Sequence, residues 1–117
     1  MAEISELVGQ TLANIEVSGE GDYIEFTTIE GVRYAMEHMQ DCCENVHIED
    51  INGDLNDLIG SMILLAEERC SDTPEVGESC TWTFYTLATL KGFVTLRWLG
   101  ESNGYYSEEV NFEKLVQ

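Results

Sequence analysis

The chain has 117 residues, 44% of them hydrophobic, with a single proline; this is the size and make-up of one folded domain, and it excludes a disordered or repetitive chain. Its charge is the outlier: 23 Asp and Glu face 5 Lys and Arg, a formal balance of −18. Binding to DNA, RNA or anionic membranes rests on cations meeting phosphates, so the balance argues against those partners and for cations or basic protein surfaces.

In chain order, Ile4, Leu7 and Val8 recur at helical spacing before Gly9, which predicts a short N-terminal helix. Thr11 to Val17 reads as a first strand, and the glycine-bearing segment 18–22 as a turn. Tyr23 to Thr28 alternates in polarity, Glu30-Gly31 reverses the chain, and Val32 to Met36 returns as a hairpin partner. Val46, Ile48 and Ile51 suggest a short strand. Asp54 suits the N-cap of a second short helix carrying Leu55, Leu58 and Ile59, closed by Gly60. Met62 to Ala66 predicts a buried strand ending at Glu67-Glu68-Arg69, and residues 71–79 a loop.

The strongest signal follows. Trp82, Phe84, Ala88 and Leu90 share one parity, Tyr85 and Leu87 the other, and Lys91-Gly92 turns the chain into Phe93–Leu99. A long antiparallel hairpin at the centre of a sheet is expected, with a last strand from Tyr105 to Leu115. No β-α-β rhythm is present. The expected fold is therefore α+β: a mainly antiparallel sheet, with barrel-like closure open to it, plus one or two short helices, all in one acidic β-rich domain spanning 1–117.

Four segments invite a chemical reading. Between Arg33 and Arg69 there is no Lys or Arg, while Glu37, Asp41, Glu44, Glu49, Asp50, Asp54, Asp57, Glu67 and Glu68 accumulate; such an array can steer a basic partner, or simply be solvated. Asp50 to Asp57 has oxygen ligands at alternate positions but lacks the glycine and glutamate of a calcium loop, and a capped turn explains the same residues. His38, Asp41, Cys42, Cys43, Glu44 and His47 could ligate zinc, yet they lack the usual paired spacing. Trp98, Asn103, Tyr105 and Tyr106 could line a pocket for a flat ligand, or Tyr105 and Tyr106 could anchor a protein contact. No phosphate loop, dinucleotide fingerprint or nucleophile elbow occurs, so catalysis has no positive support. No catalytic residue, cofactor or metal is expected, and the four cysteines read as free thiols of a reducing cytoplasm.

His38-x-x-Asp41-Cys42-Cys43-Glu44, Gly53-Asp54-Leu55-x-Asp57-Leu58-Ile59-Gly60, Thr81-Trp82-Thr83-Phe84-Tyr85 and Gly100-Glu101-Ser102-Asn103-Gly104-Tyr105-Tyr106 together resemble a small uncharacterised acidic domain family associated with bacteriophages and prophages. The resemblance runs from about Val8 to Phe112 and implies a phage context without a defined activity. With the charge, it gives the expectation of a non-enzymatic inhibitor of a host defence nuclease, of anti-CRISPR or anti-restriction type. Such an inhibitor would act in the host cytoplasm as a nucleic-acid mimic. The partner-binding residues would be Glu37, Asp41, Glu44, Glu49, Asp50, Asp54, Asp57, Tyr105 and Tyr106. The alternatives are a binder of a small nucleotide signal and a metal-binding domain.

Overall fold

The computed structural model describes residues 3–18, 22–38, 45–72, 79–102 and 110–115. Among these residues eight strands form two four-stranded antiparallel sheets. Sheet I takes the order β1-β2-β3-β8 and sheet II the order β4-β7-β6-β5. The strands are β1 (Leu12–Ser18), β2 (Tyr23–Thr28), β3 (Arg33–Glu37), β4 (Asn45–Asn52), β5 (Leu65–Asp72), β6 (Ser79–Thr89), β7 (Gly92–Ser102) and β8 (Asn111–Leu115).

Each sheet turns one parity inward, because side chains alternate faces along a strand. Ile24 and Phe26 of β2, Met36 of β3 and Phe112 of β8 are buried from sheet I; Tyr85 and Leu87 of β6 and Val94, Leu96 and Trp98 of β7 are buried from sheet II. All belong to one hydrophobic cluster, which glues the sheets face to face. Trp98 bridges them directly: its indole N–H donates to Met36 Sδ at 3.2 Å.

The expected α+β class is corrected to an all-β, two-sheet fold with no closed barrel. Neither expected helix exists. Ile4–Leu7 and Leu55–Leu58 are single 3-10 turns of four residues each. A 3-10 turn places residues i and i+3 on the same side, so Ile4 and Leu7 meet the helical spacing within a single turn and both are buried. The capping reading of Asp54 holds nonetheless, since its side chain accepts from Asn56 N–H at 2.9 Å.

The central hairpin is as expected: β6 pairs β7 from Ser79↔Ser102 to Thr89↔Gly92. The β2–β3 hairpin is also as expected. The run at 62–66 is corrected. Strand β5 starts only at Leu65, and the charged residues Glu67, Glu68 and Arg69 lie inside it, as they can on an edge strand. A register shift between Ile48 and Asp50 inserts Glu49 as an extra residue. That bulge returns Ile51 to the inward phase of Val46 and Ile48, opposite Leu96.

Candidate functional site

The exteriors of the two sheets differ chemically. On sheet I the register places Glu16 beside Glu25, Glu25 beside Ala35, and Ala35 beside Glu113. Three carboxylates thus share one row across four strands, roughly 14 Å at the usual strand spacing. Glu37 projects from the next row, between Tyr23 and Asn111. Arg33 answers them from the row on the other side, 3.7 Å from Glu25, and the Tyr23 hydroxyl donates to Glu25 at 3.0 Å. Like charges on directly opposed strands are destabilising, so the Glu16–Glu25 pair costs the fold something.

Sheet II also turns carboxylates outward, Asp50, Glu67 and Glu101, but sets aromatic rings and guanidinium groups among them. Trp82 and Phe84, on the outward parity of β6, stack with centroids 6.4 Å apart. Arg97 of β7 lies over the Trp82 ring at 5.1 Å and pairs in register with Phe84 on one side and Asp50 on the other. Its ion pair with Asp50 is long, 3.9 Å, and both partners are well exposed, so it adds little stability.

The nominated partner-binding residues are not brought together. Glu37 belongs to the sheet I exterior. Glu49 and Asp50 lie on edge strand β4, Glu49 against His47 at 2.9 Å and Asp50 near Arg97. Asp54 is occupied as a cap. Asp57, in the second 3-10 turn, packs its carboxylate against Gly92, while its backbone carbonyl accepts from Thr89. Asp41, Glu44, Tyr105 and Tyr106 lie outside the described residues, as do Cys42, Cys43 and Asn103. The proposed aromatic pocket loses Trp98, which is fully buried between the sheets.

Glu16, Glu25 and Glu113 were missed because their proximity exists only through the pairing of β1, β2, β3 and β8. No local spacing could have revealed it. Also missed was an apolar end of the molecule: Ile29, Met62, Leu64 and Leu90 are exposed there. Backbone contacts tie the first three to their surroundings, with Ile29 N–H on Thr11 carbonyl, Thr11 bridged to Met62, and Leu64 N–H on Ala88 carbonyl.

Among the described residues, clefts open between the sheets at two places. One, of about 470 Å³, is lined by Asp22, Tyr23, Glu37, His38, Asn45, Val46 and His47. It unites the two histidines of the zinc reading, but no group of three potential metal-binding side chains is poised for an ion among the described residues. The other, of about 500 Å³, lies where β5 and β6 face β8 and the first 3-10 turn.

Behind that second cleft the Tyr85 hydroxyl is buried, close to the Glu68 carboxylate. Burial, with the nearby Glu68 carboxylate adding to it, pushes its pKa well above the ordinary value of 10.0. Above pH 10 or so the unfolded chain releases this proton while the folded chain retains it, so stability falls as pH rises. Tyr85→Phe should flatten that alkaline decline, which urea melts between pH 8 and 11 would register.

These features define a two-sheet antiparallel β domain with a carboxylate row on the exterior of sheet I, aromatic rings on the exterior of sheet II, and clefts between the sheets. Over residues 5–112 the chain matches the family described as Domain of unknown function (DUF7448), and it belongs to that family. No match was found among curated proteins or among solved structures. No helix among the described residues is long and apolar enough to cross a membrane.

Proposed function

We propose that this domain works by binding, and that the acidic exterior of sheet I docks onto a basic protein surface. The observation that carries the reading is the row Glu16–Glu25–Glu113 with Glu37 beside it, four carboxylates answered on that face by Arg33. Stability alone does not favour such a row, since opposed like charges cost up to about 1 kcal/mol. A complementary positive surface turns that cost into steering and specificity. The exposed apolar end at Ile29 and Met62 supplies a place for non-polar anchoring next to the turn between β2 and β3.

The finer reading is a non-enzymatic, phage-type inhibitor that occupies the nucleic-acid channel of a host nuclease in the cytoplasm of the infected cell. It draws on the net charge and on the family resemblance. The nominated carboxylates enter it unevenly. Glu37 remains in the contact, whereas Asp54 is engaged within its own turn.

The test uses purified DNA-cleaving enzymes, with duplex DNA as competitor. The wild-type domain should inhibit at least one of them at low salt, and raising the salt should weaken inhibition by tenfold or so. The double variant Glu16→Lys/Glu113→Lys should lose inhibition by about a hundredfold while the domain itself melts no lower, because reversal relieves self-repulsion. Undiminished inhibition by a folded double variant would end the proposal.

A further inference from the structure

The larger cleft is built differently from either exterior. Its apolar walls come from both sheets and the first turn: Ile4, Ala66, Val110 and Phe112. Its polar groups come mainly from the inward parity of β5 and β6, where Glu68, Cys70 and Thr83 cluster at its rim. The Cys70 thiol lies 3.9 Å from both the Glu68 carboxylate and the Thr83 hydroxyl. Glu3 adds a second carboxylate, and no lysine or arginine is among the lining residues. A volume of about 500 Å³ is that of an ordinary small-molecule site.

Behind this lining, two residues on from Thr83 along the inward parity of β6, Tyr85 is fully buried with its hydroxyl close to Glu68 and Cys70.

We infer that this cleft binds a small organic cation: an amine carried on a flat apolar body. The body would lie against Ile4, Ala66 and Phe112, and the ammonium would donate to the Glu68 carboxylate. Phosphates and carboxylates are disfavoured, because Glu3 and Glu68 repel them and no described cation answers them. This excludes a nucleotide from the cleft. An inward glutamate on an edge strand can also serve to discourage edge-to-edge pairing. That role predicts no response to any ligand, so the two are separable. The inference does not depend on the acidic exterior, and either can fail alone.

Three indoles of nearly one shape provide the probes: tryptamine (cationic), tryptophol (neutral) and indole-3-propionate (anionic). Binding is followed by calorimetry and by the rate at which iodoacetamide alkylates Cys70, read by peptide mass spectrometry to separate it from Cys42, Cys43 and Cys80. Tryptamine should bind about tenfold more tightly than the other two, as one charge-assisted contact provides, and at saturation it should protect Cys70. Glu68→Gln should abolish the preference for tryptamine. Ethylamine, which has the charge without the body, should not protect; protection by it would reduce the effect to the overall field of the protein and overturn the site. Equal binding of all three indoles, or no protection of Cys70 at millimolar tryptamine, also overturns it. Should Glu68→Gln misfold, Thr83→Leu blocks the wall of the cleft and should remove tryptamine binding in its place.

Discussion

Trp98→Ala should destabilise the domain by about 3–5 kcal/mol, the range for removing a large aromatic from a packed interior. Trp98 is fully buried, heads the largest side chains of the core, and spans from β7 to Met36 of the opposite sheet. A domain of this size has roughly 5–15 kcal/mol to lose in total. The variant should therefore melt some 10–20 °C lower, and chemical denaturation should show the same loss. Met36→Leu separates the two parts of the effect. It nearly conserves volume but removes the sulfur acceptor, leaving a buried indole N–H unpaired at a cost of about 1–3 kcal/mol. A Trp98→Ala protein as stable as the wild type would mean that the two sheets are not packed through this residue.

Gly53→Ala should cost the domain about 2–4 kcal/mol, more than Gly9→Ala. Gly53 has φ of +113°, a conformation that L side chains rarely adopt. A Cβ there would fall 2.6 Å from the Phe93 carbonyl oxygen and 3.2 Å from Val94 Cα, both backbone atoms of β7. Neither can move aside without shifting the central hairpin. Gly9→Ala is the matched control: φ is +89° but nothing lies within 4 Å of the added carbon. That variant should lose only the conformational term, about 1–2 kcal/mol. The difference between the two, read from urea melts, measures how tightly the chain after β4 is pressed onto β7.

What could be read from the residues alone was whatever depends on near neighbours in sequence. Trp82 to Leu99 announced a hairpin because alternation and the Lys91-Gly92 turn are both local, and sheet II is centred on it. The cap at Asp54 was legible for the same reason, needing only Asn56 two residues on. Spacing misled where two structures share a period: Ile4 and Leu7 fit a helix and a 3-10 turn equally. The bulge at Glu49 was not legible: the step of three from Ile48 to Ile51 breaks strand alternation, and only the pairing with β7 shows that an extra residue restores it.

The binding surfaces followed a different logic. Scarcity of cations between Arg33 and Arg69 drew attention to carboxylates adjacent in sequence, yet β4 carries Glu49 and Asp50 to one edge while Asp54 and Asp57 enter a separate turn. The row on sheet I joins Glu16 to Glu113, residues nearly a chain length apart, through three strand pairings. Register decides such a row, and register is set by the whole hydrophobic pattern rather than by any motif. The inter-sheet cleft is equally non-local, assembled from Ile4, Glu68, Thr83 and Phe112.

The claim that sheet I is the docking face is most directly tested by titrating the isotope-labelled domain with a short oligolysine peptide and following backbone amide shifts by NMR. The account predicts shifts concentrated at Glu16, Glu25, Glu37 and Glu113 and their strand neighbours, suppressed by salt and absent in Glu16→Lys/Glu113→Lys. Shifts centred on Trp82, Phe84 and Arg97, or spread evenly over both sheets, would contradict it.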